Sequence, residues 1–108
     1  MKKGEIWLIE LPSTGSNEQS GLRPVIVMAE ADAAMAFIIP LTSNLQALRY
    51  PNTILVKATN RNCLKNNSVA LVFQLRSIDR KRLLEKTGLL EPEHLSKASQ
   101  MVSGILGL

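Results

Sequence analysis

The chain has 108 residues, a length that supports one folded domain and leaves little room for a second. Its 45% hydrophobic and 20% charged residues are those of an ordinary folded domain and exclude the disordered class. Lys and Arg number 13 against 9 Asp and Glu, a net charge of +4 that fits an anionic partner but is also common on proteins that bind no nucleic acid.

One cysteine, Cys63, excludes an intrachain disulfide and fits a reducing compartment. Lys2 and Lys3 precede apolar residues, but Glu5 and Glu10 interrupt that run before it reaches signal-peptide length. The longest uncharged apolar stretch, 33–41, is too short to span a bilayer. The expected address is the cytoplasm, with no membrane partner.

Residues 4–10, GEIWLIE, are rich in β-branched and aromatic types and predict a first strand. Residues 11–23, dense in Ser, Gly, Pro and Asn, predict a long loop, of a length usually functional or disordered in a compact domain. A second strand is expected over 24–30, with Pro24 at its first residue. A third is expected over 35–41, where Pro40 argues for an edge or a bulge. Thr42-Ser43-Asn44 supplies a turn. A fourth strand follows over 52–58, then polar turns over 59–67 and the most buried strand over 68–75, SVALVFQL. Residues 76–90 are expected to hold a helical turn near 79–82, capped by Asp79, and a brief last strand. After Pro92, residues Leu95, Ala98, Met101, Val102, Ile105 and Leu106 recur at helical spacing. They predict an amphipathic helix to about Leu106, with Ser96, Lys97 and Gln100 facing away. Short strands and a closing helix make an α+β domain built as a small barrel or half-barrel.

The only histidine, His94, precludes a two-histidine acid–base pair within one chain and reads as a solvated helical residue. One Cys and one His without ligand spacing give no zinc site. Neither a phosphate-binding Gly-rich loop nor a Gly-x-Ser-x-Gly elbow is present. What remains is a polar set at strand ends. Glu18 and Gln19 lie in the long loop, Arg23 closes it, Thr42 and Ser43 follow the third strand, and Gln74 and Arg76 end the fifth. Arg23 precedes a proline, which holds its backbone extended, and its guanidinium can pair bidentately with a phosphate. A lone arginine more often makes a surface ion pair or a packing stem, and a Thr-Ser pair more often satisfies its own turn. Trp7 reads as core.

GEIWLIEL, GSNEQSGLRPVIV, IIPLTS and SVALVFQLRSIDRKRL resemble, in order and spacing, four signature blocks of the MazF/PemK toxin family. Those blocks are G-[DE]-[IV]-W, G-x-E-Q-x-G-x-R-P-V, P-[LIV]-T-S and Q-[LIV]-R-[ST]-[IV]-D, and the likeness runs from Lys3 to Leu106. The resemblance implies one domain over 1–108, an SH3-like β-barrel with a C-terminal amphipathic helix, and a homodimer whose RNA groove crosses the subunit interface. It also implies an endoribonuclease of type II toxin–antitoxin systems, an mRNA interferase needing no metal and no cofactor. Single-stranded RNA would be cut sequence-selectively by its own 2′-hydroxyl, leaving a 2′,3′-cyclic phosphate and a 5′-hydroxyl. A cognate antitoxin would neutralise the toxin and be its sole route to DNA.

By that resemblance Arg23 is the catalytic arginine, stabilising phosphate and donating a proton. Thr42 hydrogen-bonds the scissile phosphate with Ser43 in support, and Glu18 is the loop acid used for RNA contact or activity. Gln19, Gln74 and Arg76 stand at matching positions that contact bases or backbone, and Asn17 and Phe73 are expected to bind RNA beside them. Two positions depart from one branch of the family. Phe73 replaces an acidic residue proposed there as general base, and Asn17 replaces a histidine, so a mechanism built on that pair does not transfer. Phe73 can instead stack on an unpaired base or fill the core of a buried strand. Two further readings stand beside this one. A non-enzymatic poison resembling the CcdB gyrase inhibitors would share the barrel, but those act through a C-terminal Trp-Gly-Ile where this chain has Ser103-Gly104-Ile105. A degenerate relative would bind RNA or antitoxin without cutting.

Overall fold

In the computed structural model, which describes residues 2–11, 21–32 and 34–108, the middle of strand β2 (Gly21–Glu30) is covered on both faces. Ile26 and Met28 belong to one buried cluster, Val25 and Val27 to another. This is strand alternation with both sides dry, which is why the sequence there is an unbroken apolar run. Around β2 lie β1 (Glu5–Leu11), β3 (Met35–Thr42), β4 (Thr53–Val56), β5 (Ser68–Leu71), β6 (Arg76–Asp79) and β7 (Leu83–Leu89). Every ladder is antiparallel; the path runs β4-β5-β3-β2-β1-β7, with β6 also paired to β3.

The first cluster joins Ile39, Leu41, Ile54, Val56, Ala70 and Val72 to Ala98 of helix α1 (Pro92–Leu106), with Leu95, Met101 and Val102 packed against it. The helix thus covers one face of the sheet, as its spacing predicts. Ile105 and Leu106 depart from that expectation: both are exposed, because the last turn of α1 extends past the packed face. The second cluster gathers Ile9, Ala36, Ile38, Ile78 and Leu83, so strands from opposite ends of the path β6-β3-β2-β1-β7 share one core. The sheet is therefore strongly curled.

Several elements differ from the sequence-based expectation, each for a local reason. β2 begins at Gly21, so Arg23 lies within a strand rather than closing a loop, and Pro24 sits inside it opposite Leu8. The ladder to β3 starts only at Val25, so a residue without an N–H is accommodated just before it. Pro40 is on an interior strand, not an edge. It stands where β3 changes partner, since Met35–Ile38 pair with β6 and Leu41–Thr42 with β5. The expected strand over 68–75 stops at Leu71, and Val72–Gln74 form a 3₁₀ turn in which the N–H of Leu75 donates to the carbonyl of Val72 at 3.1 Å. A further 3₁₀ turn, Leu45–Arg49, is capped by the Asn44 side chain. Asp79 caps the turn Arg80–Arg82 as expected, accepting from the Lys81 N–H at 2.9 Å. The last strand, β7, is a full seven residues rather than brief. No helix among the described residues is long and apolar enough to cross a membrane.

Candidate active site

Arg23 is exposed on β2, opposite Ile9 of β1. On the other side, the β2–β3 ladder pairs Val27 with Ile38, Ile26 with Ile39 and Val25 with Pro40. Continued in the same register, that pairing sets Arg23 opposite Thr42, the last residue of β3. The ladder itself stops at Val25 and Pro40, two residues short of that level. Thr42 is half-buried, and its Oγ1 accepts from the Asn44 N–H at 3.2 Å. That is the local turn bond the sequence allows; it leaves the hydroxyl hydrogen available to donate.

At this end of the sheet lies a cleft of about 470 Å³. Leu8, Leu22, Arg23, Pro24, Leu41 and Ser43 line it from the sheet. Cys63, Leu64, Lys65 and Asn66 line it from the β4–β5 connection, Ser68 from the start of β5 and Thr87 from β7. Among these described residues two are cationic and none is acidic. Arg23 and Ser43 thus share one cleft.

The lining of this cleft does not include Thr42, Phe73, Gln74 or Arg76. Gln74 is exposed at the end of its 3₁₀ turn. Arg76 opens β6 opposite Ile38, roughly 13 Å along β3 from Thr42 at the usual strand rise. Phe73 is 43% exposed and so is not the core of a buried strand. Its ring lies 5.8 Å from that of Tyr50, and the Arg49 guanidinium sits 5.0 Å from the Tyr50 centroid. Trp7 is half-buried against the second cluster, its indole N–H donating to Glu5 at 3.0 Å. His94 is half-buried on α1 rather than fully solvated. Asn17, Glu18 and Gln19 lie outside the described residues. Among the described residues no three His, Cys, Asp or Glu side chains gather to hold a metal ion.

The 57–67 wall was visible in the sequence only as an Asn-rich turn region, and its organisation depends on one side chain. Asn62 is completely buried. Its Nδ2 donates to the Lys57 carbonyl at 2.8 Å and to Glu91 Oε1 at 3.0 Å, while its Oδ1 accepts from the N–H groups of Thr59 and Leu64 at 3.0 and 3.1 Å. Glu91 also accepts from the Thr59 hydroxyl at 2.6 Å. Burial would raise its carboxyl pKa, but the bonds from Thr59 and Asn62, with the nearby His94, outweigh this and lower it.

Residues 2–106 match the family model for PemK-like, MazF-like toxins of type II toxin–antitoxin systems. Endoribonuclease EndoA of Bacillus subtilis (strain 168) is 28% identical over 112 aligned residues, covering 100% of this chain and 96% of that protein. Endoribonuclease MazF of Staphylococcus saprophyticus is 24% identical, covering 100% and 92%. Among solved structures, MazF from Deinococcus radiodurans superposes with a TM-score of 0.76 at 24% identity, over 100% of this chain and 97% of that one. A mycobacterial endoribonuclease in complex with its cognate antitoxin gives 0.71 at 14% identity, over 98% and 94%. Both structural likenesses concern the fold. The family match spans nearly every residue, and the chain belongs to the PemK-like, MazF-like toxins of type II toxin–antitoxin systems.

Proposed function

We propose that this chain is a sequence-selective endoribonuclease toxin that cuts single-stranded RNA in the cleft lined by Arg23 and Ser43, with Thr42 between the lining residues Leu41 and Ser43. The observation that carries the reading is the lining of that cleft, with Arg23 and Lys65, hydroxyls from Ser43, Ser68 and Thr87, and no carboxylate among the described residues. Such a lining favours a phosphate-bearing ligand. The endoribonuclease names of the relatives from Bacillus and Staphylococcus support the same chemistry.

The reaction that suits these groups takes its nucleophile from the RNA. The 2′-oxygen attacks the adjacent phosphorus as its proton passes to solvent water, and the bond to the 5′-oxygen breaks as that oxygen gains a proton. The products are a 2′,3′-cyclic phosphate and a 5′-hydroxyl, with no metal or cofactor required. Arg23 binds the non-bridging oxygens through paired N–H groups and supplies the proton to the leaving oxygen. The Thr42 hydroxyl donates to the same phosphate, with Ser43 beside it. Glu18 is the loop acid of this scheme. Asn17 and Gln19 in that loop, and Phe73, Gln74 and Arg76 beyond the cleft, meet flanking nucleotides and set the sequence preference. Phe73 does so by stacking.

The curled sheet, whose second core unites β6 and β7, supports an SH3-like barrel. A homodimer is supported by large apolar side chains left in solvent: Leu45, Leu48 and Tyr50 near one 3₁₀ turn, and Ile105, Leu106 and Leu108 at the end of α1. The net charge of +4 suits an acidic antitoxin segment laid over the groove, through which any link to DNA runs, and the toxin acts in the cytoplasm. Incubation of the chain with a long RNA in EDTA, followed by mapping and end-labelling of new termini, tests this reading. Persistent cuts bearing 5′-hydroxyl ends are expected. Intact RNA, or gyrase-dependent DNA breakage by the same preparation, would overturn it.

A further inference from the structure

We propose that residues 57–67 form a preset wall of the RNA cleft, in which Lys65 binds a substrate phosphate and Asn62 is the positioning residue that holds it there; this rests on the ribonuclease reading above. Three observations point to it. First, the segment is fastened to the body of the fold by several hydrogen bonds, one of them from Arg61 Nε to the Leu90 carbonyl at 3.4 Å. Asn62 ties Lys57, Thr59 and Leu64 to Glu91 at the start of α1. Alongside, the Leu89 N–H of β7 donates to the Arg61 carbonyl at 3.0 Å. Gly88 lets that approach happen, because a Cβ there would stand 2.4 Å from the Asn62 carbonyl oxygen.

Second, the residue after this hub turns the chain toward the cleft. Cys63 adopts φ +56, a conformation that L side chains rarely take, and Leu64 packs against the first core cluster. Leu64, Lys65 and Asn66 then line the cleft together with Arg23. Third, Lys65 is exposed and has no ion-pair partner among the described residues, and the cleft lining it shares with Arg23 holds no carboxylate among them. Two cations in one cleft repel each other, and an anion between them relieves that repulsion. Arg23 takes the phosphate that reacts, and Lys65 serves a neighbouring phosphate as a point charge. The hydrogen bonds of Asn62 order the wall during folding, so binding does not have to.

The test measures binding of a fluorescein-labelled, uniformly 2′-O-methylated single-stranded RNA of mixed sequence to the full chain over a range of KCl concentrations. Each phosphate contact on a single strand contributes about 0.7 to the slope of log affinity against log salt. Lys65→Gln is expected to weaken binding roughly fivefold at low salt. It should also flatten the slope by about 0.7. On unmethylated RNA it raises KM with kcat unchanged, and Lys65→Arg restores both slope and KM.

Asn62→Ala lowers the melting temperature, but it also removes the same increment of slope, and adding Lys65→Gln to it removes no more. A merely structural Asn62 would leave the slope as in wild type. Should Asn62→Ala fail to fold, Glu91→Gln, which keeps an acceptor for Thr59 while weakening the tie to Asn62, is expected to lose part of that slope increment. A wild-type slope in Lys65→Gln, or in folded Asn62→Ala or Glu91→Gln, overturns the wall and leaves the ribonuclease reading standing. A wild-type chain that neither binds this RNA nor cuts its unmethylated counterpart overturns both.

Discussion

Replacing Gly88 by alanine probes how tightly the cleft wall is held. A Cβ at this position would lie 2.4 Å from the carbonyl oxygen of Asn62, 2.6 Å from its carbonyl carbon and 2.8 Å from the carbonyl oxygen of Arg61. The nearest of these is about 1 Å short of ordinary contact, which begins at 3.4 Å. All three atoms are backbone, and that backbone is pinned by the Leu89–Arg61 bond and by the buried Asn62 side chain. Relief therefore means lifting the wall off β7. Overpacking of this kind costs roughly 1–3 kcal/mol. Loss of the Leu89–Arg61 hydrogen bond adds about 1 kcal/mol. The reduced freedom of the unfolded chain returns about 0.4–1 kcal/mol. Gly88→Ala is thus expected to destabilise the chain by ~2–3 kcal/mol, a fall in Tm of roughly 10–20 °C. Gly21, where a Cβ would meet nothing within 4 Å among the described residues, provides the control: Gly21→Ala should melt as wild type does. Thermal unfolding followed by circular dichroism decides the matter. Equal melting of Gly88→Ala and wild type would refute the close approach of loop and strand.

Glu5 is nearly buried. Burial pushes its carboxyl up, but the Trp7 indole, a backbone hydrogen bond from Lys2 and the Lys86 ammonium at 3.1 Å outweigh this and bring the pKa to about 2. Because this folded-state value lies below the ordinary 4.5, the stability it contributes is complete above about pH 4.5 and is lost as pH falls through about 2. Glu5→Gln is expected to cost ~2 kcal/mol at neutral pH and to flatten the dependence of Tm on pH across that window; a steeper acid limb would contradict the assignment. Gly104 lies within α1 with nothing within 4 Å of an added Cβ, so Gly104→Ala should stabilise the chain by ~0.5 kcal/mol, read from urea unfolding. Leu106, 59% exposed, belongs to the face assigned to the dimer. Leu106→Glu should raise the dimer dissociation constant tenfold or more, given ~1.5–3 kcal/mol for burial of a leucine, whereas a wild-type chain that sediments as a monomer would remove that face from the account.

Much of the fold could be read from short-range chemistry. Apolar spacing after Pro92 located α1, the β-branched run located β1, and Asp79 announced its own turn. Features that depend on pairing were not readable. Pro40 signals an interruption, but only the ladders show that the interruption is a change of partner from β6 to β5. Phe73 continues an apolar run that reads as strand, yet its N–H donates to Asn52 at 3.3 Å and its ring leaves the core to meet Tyr50. Arg23 and Thr42 stood out because each occupies a recognisable block; the β2–β3 ladder stops at Val25 and Pro40, short of both. Asn62 and Lys65 did not, because Asn62 acquires meaning only from Glu91, a partner 29 residues away. The proposed loop contacts Asn17, Glu18 and Gln19 rest on the sequence alone.

The central claim is that Arg23 stabilises the transition state rather than the fold or the bound RNA. Single-turnover cleavage of a mapped RNA site by Arg23→Ala, under saturating enzyme and alongside its melting curve, tests this most directly. The expected result is a rate lower by roughly 10²–10³-fold, with Tm unchanged. Cleavage at the wild-type rate by the folded variant would contradict the claim.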